Sequence, residues 1–225
     1  MAIAIDNEAQ GNQVDSVTTQ TTSFTCTGDN RYLVVGFQSG SAASGVTYDG
    51  VAMTQLSTET SPGGTNIYQY GLAAPSTGAN DIVITIGSTG SIGSGFVSFT
   101  GAAQTGQPDA EFTETNAGSN TVSTSVTTTV DNCWTVAFWR DDAGRLLTPG
   151  AGTTEIADES GKGYHMVRST DIVASAGVST LTGTLASTAP AWAESIISLS
   201  SHIPHDIKTR NTVAIASIKT TNTVT

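Results

Sequence analysis

The side chains able to do chemistry in this chain are mostly carboxylates, in three groups: Asp109, Glu111 and Glu114; Asp141 and Asp142; Glu155, Asp158 and Glu159. The last two groups lie beside Gly-rich segments, where carboxylate and carbonyl oxygens together could hold Ca²⁺, although none has EF-hand spacing. The plainer reading is solvated acidic loops. His202, His205 and Asp206 form His-x-x-His-Asp, a metal-ligand set for a symmetry axis where copies meet. Pro204 opposes the helix that would present both rings on one face. His165, beside Tyr164 in a strand-like run, reads as a packing residue, and Trp134, Trp139 and Trp192 read as core. Ca²⁺ is the one cofactor weighed, and the expectation is none.

Cys26 and Cys133 each open an apolar run, Tyr32 to Phe37 and Trp134 to Trp139, so a disulfide could join them if those runs pair. The alternative is two buried thiols acting as small hydrophobes. No Cys-x-x-Cys or Cys/His cluster points to structural zinc. Also missing are a Gly-x-Ser-x-Gly elbow, a Walker A loop, His-Glu-x-x-His and a Gly-x-Gly-x-x-Gly turn. The expectation is therefore a protein that is not an enzyme. A glycosidase needs only two placed carboxylates and leaves no local signature, so it stands as a minor alternative.

What must position these groups is a β scaffold. Charged residues make up only 12% of 225, Gly numbers 24, and Ser and Thr outnumber all charges, which suits short strands and tight turns rather than solvated helices. Strand-type runs recur every ten to fifteen positions, from Ala2–Ile5 through Tyr32–Gln38, Asn66–Leu72 and Cys133–Trp139 to Ala191–Leu199. Val14–Cys26 is read as separate from Ala2–Ile5, and Asn80–Ile86 as separate from Gly93–Thr100. Tyr48-Asp49-Gly50-Val51 carries the strongest turn signal, because a type I′ hairpin turn needs positive φ at both central residues. Tyr48, Met53 and Leu56 should then pack on the sheet. Runs without polar alternation, such as Tyr32 to Phe37, belong in central strands; Asp81 to Ile86 alternates. The expected fold is all-β, a two-sheet jelly-roll-like β-sandwich over residues 1–200, followed by a linker at 201–206 and a short β-repeat arm at 207–225.

The arm is nearly a duplication. Ile207-Lys-Thr-Arg-Asn-Thr-Val-Ala-Ile-Ala-Ser217 begins again as Ile218-Lys-Thr-Thr-Asn-Thr-Val-Thr225. Its β-branched residues cannot bury a face alone, and an unpaired strand leaves its N–H and C=O groups open to another chain. Ile207, Val213, Ile215, Ile218 and Val224 are the expected docking contacts. Lys208, Arg210 and Lys219 make the arm basic: residues 201–225 hold three cations and one acid, whereas residues 1–200 hold five and eighteen. A homo-oligomer, with a trimer favoured, or docking on a different protein follows. The acidic body repels phosphate backbones, which argues against nucleic acid. Met1 to Asp6 has no basic n-region and no run approaches about eighteen apolar residues, so neither secretion nor membrane insertion is expected.

Several segments, in order, resemble a β-sandwich module of phage virion structural proteins and bacterial surface proteins. They are Asn30 to Gly36, Val46 to Thr54, Ile67 to Pro75 with Gly78 to Thr85, Val97 to Gly101, and Ala191 to Ser198. The tail is similar to IKTxNxVAxAS repeats on phage structural proteins. Ala102-Ala-Gln-Thr departs from the module, where an apolar residue and an acid are expected after the Gly. The resemblance implies a virion-located structural protein, a capsid decoration or head/tail-fibre-type protein whose partners are capsid or other virion proteins, with no catalytic residues to carry over. The alternative is a carbohydrate-binding module or adhesin, with a host-surface glycan as partner.

Overall fold

The computed structural model describes residues 2–189 and 191–202, none of them helical. Among these, strands run in the order β1 (Ala4–Cys26), β2 (Tyr32–Ser39), β3 (Ala43–Tyr48), β4 (Val51–Ala52), β5 (Thr54–Thr60), β6 (Asn66–Ala73), β7 (Gly78–Thr100) and β8 (Ala110–Ala117). They continue as β9 (Thr121–Thr128), β10 (Trp134–Asp141), β11 (Leu147–Pro149), β12 (Thr153–Asp158), β13 (Tyr164–Ser169), β14 (Gly177–Leu185) and β15 (Ala191–Leu199). Every pairing is antiparallel. The expected all-β class holds. The expected arm at 207–225 lies outside the described residues.

In place of the one two-sheet sandwich expected over residues 1–200, two sandwiches pack on each other. In the first half, the C-terminal part of β7 has β1 on one side and β2, β6 and β5 on the other, while its N-terminal part pairs with the end of β1 and with β3. In the second half the order β8-β15-β10-β13-β12 repeats the first set, and β9-β14-β11 repeats the second. β1 and β7 therefore each do the work of two strands. Register shifts at Gly11, Val14 and Val17 turn β1 from one layer to the other without breaking it, as bulges do. In the second half, the segments at 118–120 and 186–189 lie at the same corner, so the sheets separate. This is why the two strands expected in each of these segments are found fused.

Matching residues keep matching roles. Asn30 and Asn132 both take the left-handed conformation, at φ 49° and 60°, each after an Asp. Leu56 and Ile156 are each bulged out of the edge strand at one place in the ladder. Asp6 accepts from the backbone and hydroxyl of Thr27 and from Ser98; Asp109 accepts from the same groups of Thr129 and from Ser198. The contacts between halves also come in reciprocal pairs. Met166 and Ala157 pack over Gly95, while Gln69 and Ser57 meet Ser195, the residue equivalent to Gly95. Reciprocity of this kind is the mark of an isologous two-fold interface, here within one chain.

Three cores follow. Ile3, Tyr32, Val34, Val97, Phe99, Phe138, Met166 and Ile197 pack between the two halves. Leu33, Phe37, Tyr48, Tyr70, Ile84 and Phe96 fill the first sandwich, and Val122, Trp139, Leu181, Trp192 and Ile196 fill the second. Inner sheets thus have two buried faces, and β2 is buried at every position. Outer strands have one: in β9 and β14 buried and accessible residues alternate, and Ile82, Ile84 and Ile86 turn inward from the outer part of β7. The sequence distinction between continuous and alternating runs is borne out by this layering. At the Asp49-Gly50 hairpin, φ values of 51° and 74° and the Tyr48/Val51 pair match the expected turn. Met53 and Leu56 are buried beside it as expected. The runs led by the two cysteines are equivalent strands in facing sheets and do not pair; Cys26 and Cys133 are buried free thiols.

Candidate functional site

Polar groups gather at the end of the molecule where β2, β10 and the starts of β6 and β13 meet. Asp141 closes β10, and its carboxylate accepts backbone N–H groups of Ala143 (2.7 Å) and Arg145 (2.9 Å). The acid cluster expected around Asp158 is tied in by His165, whose Nδ1 lies 3.1 Å from Asp158 Oδ1 and whose Nε2 lies 3.3 Å from Asp141 Oδ2. Asp158 also accepts the Leu147 N–H at 2.8 Å. His165 and Asp141 are essentially fully buried.

Burial alone would push His165 down, but the hydrogen bonds from Asp141 and Asp158, and their charge, hold its pKa above the ordinary value. Burial likewise drives Asp141 up, and His165 with the Arg145 and Ala143 N–H groups outweighs it and holds the carboxyl low. Its raised pKa favours the doubly protonated ring, the form in which each nitrogen donates to a carboxylate. Lying between Asp141 of β10 and Asp158 of β12, the ring ties β10, β12 and β13 together. His165 is more than the packing residue its sequence context suggested, because its partners come from two other strands.

The remaining acids are similarly engaged. Asp142 accepts from Ser61 Oγ (2.8 Å) and Gly63 N–H (2.9 Å), joining the β5–β6 loop to the second half. Glu159 accepts from Gln13 N–H (2.6 Å) and the Tyr164 hydroxyl (2.8 Å), joining β1 to it. These carboxylates are seam ties rather than free acidic loops. Glu155 and Glu111 are exposed, and Glu114 lies beside the edge of the second sandwich. Among the described residues no group of three or more His, Cys, Asp or Glu is arranged to hold a metal ion. Of His-x-x-His-Asp only His202 is described, its N–H bonded to Gly101 O at 2.7 Å; His205 and Asp206 lie outside.

Between these ties a polar cleft of about 230 Å³ opens on the pseudo-two-fold axis, lined by Gln13, Gln38, Thr65, Arg140 and Lys162. Gln38 and Arg140 are equivalent residues of β2 and β10, facing Ile67 and Tyr164 across their ladders. Arg140 Nη1 donates to Lys162 O at 2.8 Å, Arg140 Nε stands 3.8 Å from Asp142, and Lys162 Nζ stands 3.1 Å from Asp15. Gln38 Oε1 and Arg140 Nε are buried without a hydrogen-bond partner in the protein. No sequence signal marks this cleft, since its residues come from several distant segments of the chain and none belongs to a motif.

One carboxyl stands apart. Glu194 of β15 is buried in the second sandwich, with Asn116 and Thr124 donating to it. Burial raises its pKa to about 7. The three Trp are packed as expected: Trp139 and Trp192 are buried, and Trp134 is covered by Arg168 at 5.4 Å and donates to Ile3 O at 3.2 Å. No Trp platform for sugar faces solvent. In the loop that departs from the resembled module, Ala102 is buried and bridges Ser201, while Gln104 donates to Arg31 O and Ala102 O. Comparison with protein-family models, curated proteins and solved structures gave no match. The predicted docking residues Ile207, Lys208, Arg210, Val213, Ile215, Ile218, Lys219 and Val224 lie outside the described residues.

Proposed function

We propose that this chain is a non-enzymatic structural protein displayed on a virion, a capsid decoration or head/tail-fibre-type protein whose repeated C-terminal arm docks or oligomerises its body. The repeat carries the reading: two copies of a basic, β-branched unit follow an acidic body. The body supports it. Its acids at the seam are used to tie two sandwiches into one stack, which suits a rigid displayed block.

The direction of the chain adds a polarity. β7 ends at Thr100, β15 ends at Leu199, and His202 is bonded to Gly101, so His202 stands at the pole opposite the polar cleft. In this account that pole faces the particle. The partners are capsid or other virion proteins, and copies of the chain associate through their arms, a trimer being the favoured number. Opposite net charges on arm and body speed the encounter in a salt-dependent way.

Particles assembled in the presence of a full-length Val213→Asp, Ile215→Asp double variant are expected to lack the protein, while the variant's circular dichroism and melting match the parent. Light scattering should show the variant at a lower association state. Undiminished incorporation overturns the docking role of the arm.

A further inference from the structure

We propose that the axial cleft between Gln38 and Arg140 is a binding site for one neutral, polyhydroxylated ring, a single pyranose unit of a saccharide. This inference is independent of where the protein is mounted. Gln13 Nε2 donates to Asp15 at 2.6 Å, which leaves Gln13 Oε1 to accept from Gln38 Nε2 at 2.8 Å. Gln38 Nε2 also faces the carbonyl of Lys162 at 3.4 Å, so the amide orientation is fixed and Oε1 is directed elsewhere. That oxygen is buried and unpartnered, on a residue only 4% exposed. Arg140, whose Nη1 donates to that same Lys162 carbonyl, has in Nε a buried and unpartnered donor.

An unpartnered acceptor and an unpartnered donor on two residues that line one cleft call for a group that both donates and accepts, which is what a hydroxyl does. Each such atom destabilises the fold while unpaired, so a ligand that satisfies both recovers that cost. Charge selects for neutrality. The two cations lining the cleft already stand beside carboxylates, Arg140 beside Asp142 and Lys162 beside Asp15. An anionic ligand would find both cations already compensated and would meet the Gln38 oxygen.

Size limits the ligand further, because about 230 Å³ lies below the range of about 300–1,000 Å³ typical of drug-sized sites. A single ring fits that description. No aromatic residue lines the cleft, so ring stacking does not contribute and affinity is expected in the range of about 1 mM. Gly40 and Gly161 at the rim are exposed, which opens the cleft to solvent.

The test is saturation-transfer NMR on the full-length protein with the methyl glycosides of glucose, galactose, mannose and N-acetylglucosamine, and with glucuronate as the charged control. At least one neutral glycoside should show saturable transfer, with glucuronate weaker. Gln38→Leu should weaken it by about tenfold. Because a buried variant can misfold, Gly40→Phe serves as the second: a Cβ at Gly40 meets nothing within 4 Å, so the ring can lie across the cleft without disturbing the fold. It should abolish transfer while leaving the melting temperature unchanged. Absence of saturable transfer for every neutral glycoside, equal transfer in a folded Gly40→Phe protein, or tighter binding of glucuronate would overturn the proposal.

Discussion

Gly36 and Phe138 hold the same position in the two sandwiches, and they touch across the seam: a Cβ placed on Gly36 would lie 2.5 Å from Phe138 Cδ2. The pseudo-two-fold axis passes between them. One copy of the position must be large and the other absent, so the duplication has to be asymmetric where it meets itself.

Gly36→Ala is therefore expected to destabilise the protein by about 1–3 kcal/mol, since the Phe138 ring is fully buried and stacked against Tyr164 at 6.2 Å and has nowhere to move. Phe138→Leu in the Gly36→Ala background should recover part of that loss. Urea unfolding of the two single variants and the double variant measures the coupling; additive losses would place the strain elsewhere.

Loss of the His165 ring should cost more. His165→Ala leaves Asp141 and Asp158 buried and facing each other, with Arg145 at 3.4 Å compensating Asp141 alone, a change expected to cost about 3 kcal/mol. A thermal melt reads it directly, and an unchanged midpoint would show that the ring does not tie β10 to β12.

Two buried groups set the pH dependence, and they act in the same direction. Glu194 takes up a proton more readily folded than unfolded, so its contribution is full below about pH 4.5 and is lost as pH rises towards about 7, to the extent of about 3 kcal/mol. His165, also raised, contributes fully below its unfolded value of 6.5 and loses that contribution as pH rises through its folded value. Asp141, held low, works at the other end, and its contribution is lost as pH falls below 3.8. Stability should thus decline from mildly acidic to alkaline pH. Glu194→Gln should flatten the decline between about pH 5 and 7, measured as denaturation midpoint against pH; an unaltered slope would contradict the assignment.

Neither thiol should react in the native protein. Both are buried, and burial together with the Asp109 carboxylate raises Cys133 to about 11, while burial is the main cause of the rise at Cys26. Thiol reagents at neutral pH are expected to label two cysteines only after unfolding, and non-reducing electrophoresis should match reducing electrophoresis.

The β class, the Asp49-Gly50 turn and the division between central and outer strands could be read from the sequence, because each follows from local residue type or period. The duplication could not. Its surviving identities, such as Thr27/Thr129, Asp29/Asp131, Asn30/Asn132 and Val34/Val136, are few, because a sheet position requires only an inward or outward side chain of suitable size. Asp-Asn before an apolar run, occurring twice, was the available signal. Asp141 and Asp158 were singled out as acids, but their use depends on a histidine from a third strand, a pairing that register creates and spacing does not show.

The most direct test of the displayed-block account is site-specific labelling on intact particles. Gly40→Cys places an accessible thiol at the cleft pole and Thr105→Cys places one at the pole where His202 lies, while both native thiols are buried. The account predicts that a bulky maleimide labels Gly40→Cys on the particle as fast as in the free protein and labels Thr105→Cys only once the protein is released. Equal labelling of the two positions on the particle would contradict it.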